Sequence, residues 1–308
     1  MQGLVVKNNG NIYLVKLLTG EYIECRIKGN FRLKGIRSTN PLAIGDNVLV
    51  DVQPNGDSMI FDICDRKNYI VRKSSNLSKH SHIIAANLDQ AILVVTVNYP
   101  VTATGFIDRF IVSAEAYHVP VILVFNKIDL YSDSDIEYLH ALKNLYQHIG
   151  YRCIETSVIT NEGIEELSSC LSSNISLFSG NSGVGKSSLI RVIDPSFDVK
   201  VGIISDSHNK GMHTTTNSQM YEVSGGFIID TPGIKGFGII DIAKQEAAHY
   251  FKDIFQFSHQ CKYNNCTHQQ EPGCAVIKAV EDYKISLSRY QSYLSIIQDI
   301  EEDAKYRH

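Results

Sequence analysis

Short apolar runs broken by turn formers fill the first part of the chain. They lie at residues 12–15, 22–27, 47–52 and 59–63, separated by Gly20, Gly29, Gly45-Asp46 and Asn55-Gly56-Asp57. Such runs bounded by Gly, Asn and Asp read as strands. About five short strands within residues 1–67 predict a small closed β-barrel, with an OB-fold the leading candidate. Residues 68–90 change texture. Ser, Asn, Lys and His crowd around Arg72-Lys73-Ser74-Ser75-Asn76 and Lys79-His80-Ser81-His82, which reads as a linker or mobile loop.

From residue 91 the pattern alternates. Segments 91–97, 121–125, 175–178 and 227–229 are continuously apolar, as strands covered on both faces must be. Segments 107–117 and 136–149 carry helical spacing between them. Alternation of this kind predicts an open, doubly wound α/β sheet over residues 91–238. Residues 239–308 turn mostly helical. There Val276, Val280, Tyr283, Leu287, Tyr290, Leu294, Ile297 and Ile300 mark one apolar face of a single long helix.

A chain of 308 residues suits two or three compact units better than one core. The net charge of −4 is mild, so any polyanion binding has to come from a local patch. No run approaches the roughly 18 to 20 apolar residues of a membrane span, and no signal peptide opens the chain, so a cytoplasmic monomer without a membrane partner is expected. Cys25, Cys64, Cys153 and Cys170 lie far apart, whereas Cys261, Cys266 and Cys274 crowd into one segment with His268. In a reducing compartment, three thiols and one imidazole at this spacing read as a closed, structural Zn²⁺ site sooner than as disulfides.

Gly180-Asn181-Ser182-Gly183-Val184-Gly185-Lys186-Ser187 fits the full P-loop pattern between a predicted strand and a helix that continues through Ser188. Its backbone N–H groups suit phosphates, Lys186 the β- and γ-phosphates, and Ser187 a Mg²⁺ ion. Asn126-Lys127-Ile128-Asp129 ends another strand. A carboxylate there accepts from N1–H and the exocyclic amine of guanine, donors that adenine lacks at those positions. Thr156-Ser157-Val158 stands where a second base-contacting loop falls. Asp230-Thr231-Pro232-Gly233 offers an Asp for Mg²⁺ and a Gly N–H for the γ-phosphate. In the threonine run Gly211-Met212-His213-Thr214-Thr215-Thr216, which suits a switch loop, a hydroxyl would complete the Mg²⁺ shell. These motifs therefore specify GTP, and they occur in circularly permuted order, with the base-reading motifs ahead of the P-loop. Ile234 stands where many GTPases place a water-orienting Gln, which predicts slow intrinsic hydrolysis completed by a partner. His213 is the one nearby candidate for a catalytic side chain, with a solvent-exposed histidine as the plain alternative.

Arg26, Lys28, Arg32, Lys34 and Arg37, with Phe31 among them, form an acid-free stretch. On a barrel this would make an RNA-binding groove with a stacking ring, or an ordinary solvated edge.

The ordered set Asn126 to Asp129, Gly180 to Ser187, Gly211-x-His213-Thr214-Thr215, Asp230 to Gly233 and Cys261-x4-Cys266-x-His268-x5-Cys274 resembles the bacterial ribosome small-subunit-dependent GTPase A family. Gly45-Asp46 and Asn87-Leu88-Asp89-Gln90 add to the likeness, which covers nearly the whole chain. It implies an N-terminal OB-fold, a permuted G domain and a C-terminal zinc domain. It also implies late maturation of the small (30S) ribosomal subunit, hydrolysis stimulated by that subunit, and contacts with its rRNA. By motif match, Asn126, Lys127 and Asp129 bind guanine, Gly180 to Ser188 bind the phosphates, and Cys261, Cys266, His268 and Cys274 bind zinc; from the threonine run, Thr215 is the expected Mg²⁺ ligand beside Ser187 and Asp230. Met212 replaces the family's usual Arg, and Thr156-Ser157-Val158 is a looser match to its second base loop. A reading from another class is a nucleotide-switched RNA-binding translation regulator whose hydrolysis is incidental.

Overall fold

The computed structural model describes residues 1–28, 42–53, 58–72, 82–197, 219–230 and 242–305. Strands β1 (Gln2–Asn9), β2 (Ile12–Leu17), β3 (Tyr22–Ile27), β4 (Asn47–Asp51) and β5 (Ser58–Ile63) close in the order β1-β2-β3-β5-β4-β1. Closure is possible because β1 pairs with β2 along most of its length and with β4 through Gln2, Gly3 and Leu4. Alternate residues point inward, so Tyr13, Val15 and Leu17 of β2 join Val5, Cys25, Val48, Val50 and Ile60 in a dry barrel core. Strand β1 has no counterpart among the apolar runs that mark the other four.

Residues 68–90 are more than a linker. They carry β6 (Tyr69–Arg72) and β7 (His82–Ala86), an antiparallel pair in a sheet of their own. The reason is burial: Ile70, Ala85, Ala86 and Leu88 lie under the neighbouring domain, and Asn68 binds both the amide and the carbonyl of Leu88 at 2.8 Å.

The central domain runs β8 (Gln90–Val95), α1 (Thr104–Ala116), β9 (Val121–Asn126), α2 (Asp133–Ile149), β10 (Arg152–Thr156), α3 (Ile164–Leu171), β11 (Ile175–Gly180), α4 (Lys186–Ile193), β12 (Gln219–Val223) and β13 (Gly226–Asp230). Its sheet order is β10-β9-β8-β11-β13-β12, parallel except for the β12–β13 hairpin. Successive residues of each strand face opposite ways. Leu93, Val95, Leu123 and Phe125 therefore pack under α1 and α2, while Ile92, Val94, Ile122 and Val124 pack under α3 and α4. The chain works outward from β8 to β10, then returns to place β11 beside β8. That reversal creates a crevice at the carboxyl ends of β8 and β11, where ligands of open α/β sheets bind.

Strand β12 also pairs with β1, Lys7 opposite Gln219, so barrel and central sheet join as eleven strands among the described residues. Glu222 of β12 reinforces the join by accepting from Lys16 Nζ at 2.7 Å and Tyr22 Oη at 2.9 Å.

The last unit contains α5 (Lys252–Ser258), α6 (Ala275–Glu281) and α7 (Leu287–Lys305). The single long helix expected from the apolar face is thus two helices. Tyr283 adopts φ +58°, and the amides of Lys284 and Ile285 fold back onto Ala279 O. This turn ends α6 and exposes Tyr283 (95%) while it buries Ile285. Among the described residues no helix is long and apolar enough to cross a membrane.

Candidate GTP site and metal centre

The motifs singled out in the sequence gather at one edge of the sheet because each ends a parallel strand. Asn126 ends β9 directly opposite Thr156, the last residue of β10. Gly180 ends β11, and Asp230 ends β13 in register with Phe178 of β11. The P-loop thus sits between the base-reading loops and the Asp230 strand.

Asn126 is buried, and its amide joins three motifs. Its Nδ2 donates to Val184 O at 2.8 Å, while its Oδ1 accepts from Thr156 Oγ1 at 3.0 Å. Lys127 adopts a left-handed backbone (φ +66°). This turns its side chain across the P-loop, where Nζ donates to Gly183 O at 2.6 Å and to Tyr99 O at 2.7 Å. Asp129 is exposed. Its Oδ1 accepts from Ser157 Oγ at 2.5 Å, and Ser157 Oγ in turn accepts from the amides of Ile159 and Thr160 at 3.1 Å. The second base loop thereby fixes the orientation of the carboxylate through one of its oxygens, and each oxygen keeps a lone pair free to accept.

In the P-loop, Gly183 and Gly185 hold φ of +84° and +94°, and buried Val184 anchors the loop to the apolar layer under α3 and α4. Asn181, Ser182 and Gly183 follow β11, and Lys186 opens α4 with its Nζ 2.8 Å from both Gly180 O and Asn181 O. Ser187 and Ser188 occupy the exposed first turn of α4. A helix start beneath a glycine-rich loop is a phosphate cradle. Ser187, in that first turn, also offers an oxygen of the kind that suits a hard divalent cation bound through oxygens and water. His213, Thr214, Thr215 and Gly233 lie outside the described residues. So do Phe31, Arg32, Lys34 and Arg37, while Arg26 and Lys28 are exposed at the end of β3.

The cluster in the last unit is compact. The ligand atoms of Cys261, Cys266, His268 and Cys274 all lie within 4.8 Å of one another. Cys261 Sγ is 3.9 Å from Cys274 Sγ, and His268 Nδ1 is 3.5 and 3.4 Å from those sulfurs. A tetrahedral Zn²⁺ site with ordinary bond lengths has edges of about 3.8 Å between sulfurs and about 3.5 Å between sulfur and nitrogen. The donor set therefore fits such an ion. Burial pushes the Cys266 thiol up to about 12 and raises Cys274 as well, so thiolates here call for a cation. Burial also lowers His268, which keeps its imidazole neutral. Outer contacts support the ligands: Ala275 N donates to Cys261 Sγ and Ile277 N to Cys274 Sγ. Tyr293 Oη and Tyr290 Oη hold Thr267 O and His268 O at 2.8 and 2.6 Å. Sequence reasoning missed these tyrosines, as it missed Tyr99, which serves through a backbone carbonyl that any residue supplies.

Comparison with known proteins agrees with this architecture. A family model described as RsgA GTPase matches residues 63–240, and one described as RsgA N-terminal domain matches residues 2–60. The "small ribosomal subunit biogenesis GTPase RsgA 2" of Bacteroides thetaiotaomicron is 60% identical over 308 residues, covering 100% of this chain and 99% of its own. The "small ribosomal subunit biogenesis GTPase RsgA" of Phocaeicola vulgatus is 59% identical over the same shares. The crystal structure of YjeQ from Thermotoga maritima superposes with a TM-score of 0.80 at 36% identity, covering 97% of this chain and 98% of that one. The crystal structure of YloQ, titled a circularly permuted GTPase, gives 0.77 at 28% identity, covering 98% and 95%.

Proposed function

Because this chain belongs to the RsgA GTPase family, we propose that it hydrolyses GTP in the late maturation of the small ribosomal subunit, with the subunit stimulating turnover and turnover promoting release. The observation that carries the reading is the Asn126 amide, which locks both base loops to the P-loop. A guanine reader and a phosphate cradle held at fixed separation make a GTP site. Asp129 accepts from the guanine edge, Lys127 lies along the base and the P-loop, and Asn181 to Ser188 bind the phosphates. Ser187 and Asp230, with Thr215, hold Mg²⁺, which supplies positive charge to the β- and γ-phosphate oxygens.

Cys261, Cys266, His268 and Cys274 hold one structural Zn²⁺. Arg26 and Lys28, with Phe31, Arg32, Lys34 and Arg37, face rRNA from the barrel. The division into a barrel (1–67), a connecting segment, a G domain (91–238) and a zinc unit (239–308) follows the same reading, as does a cytoplasmic location. The residue that follows Gly233, Ile234, has no polar atom with which to align water. We therefore assign that help to the subunit, with His213 as the chain's own candidate.

The test is GTP turnover of the purified protein alone and with small ribosomal subunits, with ATP and large subunits as controls. Unaided turnover near ~10⁻⁴ s⁻¹, as in unassisted small GTPases, and a rise of at least about a hundredfold with small subunits alone are expected. Absence of stimulation would overturn the assembly role and favour a nucleotide-switched RNA-binding regulator.

A further inference from the structure

Tyr131 lies just past the Asn126-Lys127-Ile128-Asp129 tetrapeptide, in the turn that leads to α2. Its hydroxyl donates to Asn126 O at 2.7 Å and accepts from Val97 N at 2.8 Å. The backbone of Asn98 also reaches the same oxygen. Val97 and Asn98 belong to the loop after β8, which packs along the P-loop. Within it Asn98 Oδ1 accepts from Tyr99 N at 3.0 Å, and the Asn98 side chain also reaches Asp135 at the start of α2. The next carbonyl, Tyr99 O, receives Lys127 Nζ.

Tyr131 thus joins two segments that flank Lys127. One is the peptide entering that residue at Asn126, and the other is the loop that receives its ammonium. Lys127 is held at φ +66°, a conformation that non-glycine residues keep only where the surroundings over-determine it. Burial pushes the Tyr131 hydroxyl up to about 12, so it stays a protonated donor at neutral pH. Nothing in this arrangement brings Tyr131 itself against a nucleotide.

We propose that Tyr131 is a positioning residue of the guanine site, whose hydroxyl ties the Val97–Asn98 backbone to Asn126 O and thereby fixes where Lys127 lays its side chain. The proposal rests on reading this site as the guanine site. Removing the hydroxyl leaves the Val97 amide and the Asn126 carbonyl without that partner, while a phenylalanine ring keeps the packing. The loss should therefore appear in nucleotide affinity and not in the chemical step.

The experiment uses the full chain as wild type, Tyr131→Phe, Lys127→Met and the double variant. Binding of methylanthraniloyl-GDP, competition by GTP and ATP, and GTP turnover are measured on each. Tyr131→Phe should weaken GDP binding about tenfold and raise KM in step, with kcat unchanged. In the Lys127→Met background, which keeps the stem and removes the ammonium, the same change should cost less than about twofold. Equal losses in both backgrounds, no loss in either, or a fall in kcat with KM unchanged would overturn the proposal while wild-type preference for GTP over ATP stands. A wild-type chain that binds ATP as well as GTP would overturn the guanine reading, and the proposal with it.

Discussion

Arg289 of α7 and Asp108 of α1 meet at 2.7 Å with both side chains fully buried. The same guanidinium reaches Asp253 of α5 at 2.8 and 3.1 Å and lies over the Phe251 ring. Tyr146 of α2 adds a hydrogen bond to Asp108 at 2.9 Å. The unit that carries the Cys and His cluster is therefore fastened to the G domain through a buried charge as well as through the apolar cluster that Val112 shares with Tyr293 and Ile296. It is fastened to α1, the helix that follows the Val97–Tyr99 loop beside the P-loop. Removing one member of a buried pair strands the other in a medium that cannot solvate it. Arg289→Ala should cost about 3 to 5 kcal/mol in chemical denaturation. An exposed pair such as Arg152–Glu166 should give less than about 1 kcal/mol when broken.

Gly185 separates a steric effect from a conformational one. At φ +94°, a Cβ there would fall on Asn126 Nδ2, the atom that ties the base loop to Val184. Gly185→Ala should lower GDP affinity by at least about a hundredfold, since the P-loop turn and the Asn126 link are disturbed together. Gly150, at the end of α2, holds φ +104° with nothing within 4 Å of a Cβ. Gly150→Ala should therefore lower stability by about 1 kcal/mol and leave GDP affinity unchanged. Titration and thermal melting of both variants check the contrast.

Asp129 accepts from Ser157 through Oδ1, and in the proposed guanine site its carboxylate accepts from N1–H and the exocyclic amine. In Asp129→Asn, the amide oxygen inherits the Ser157 hydroxyl and the amino group turns to the ligand. The amide oxygen can still accept from N1–H, but the amino group sets a donor against the exocyclic amine of guanine, whereas xanthine has a carbonyl there to accept it. GTP affinity should fall by at least about a thousandfold, and xanthosine triphosphate should become the better ligand. Competition binding with the two triphosphates measures this.

The motifs proposed to carry chemistry were legible because their residue types suit it: a Gly-rich turn frees backbone N–H groups for phosphate, a carboxylate accepts from two adjacent donors, and thiols with an imidazole suit a metal ion. What stayed hidden depends on backbone atoms or on long-range pairing. Strand β12 is a short stretch whose place is set by β13 on one side and β1 on the other. The break at Tyr283 keeps helical spacing on both sides, so periodicity runs through it. Gly45-Asp46 stood out as a turn and by family likeness, Asn87 by family likeness alone, and the structure supplies a physical reason for both. Arg66 grips Asp46 at 2.6 Å, while Asn87 binds Gly45 O and Lys67 N, which seams the barrel to the G domain.

The loop of Cys266 and His268 depends on a residue outside the ligand set. Glu271 accepts from Thr267 N and Thr267 Oγ1 at 2.6 and 2.7 Å, and from the amides of Gln269 and Gln270 at 2.9 and 3.1 Å. These bonds curl the chain around His268 and lead it into Cys274. Burial by itself would raise the Glu271 carboxyl, but the donors outweigh it and hold it at about 2. A carboxyl depressed in the fold contributes its stabilisation fully above its ordinary value, given as 4.5, and loses it as the pH falls from there toward 2. Glu271→Gln keeps the shape and one acceptor but removes the charge that gathers these donors. Metal analysis should find one zinc per chain in both proteins, with zinc affinity of the variant lower by about 10- to 100-fold. Both forms keep a fixed charge at residue 271 from about pH 5 to 8, so the ratio of affinities should stay flat across that range while each absolute affinity falls with acid because metal binding has to displace the thiol protons. A ratio that drifts with pH in that window would show that Glu271 does not hold the loop through the donors assigned to it.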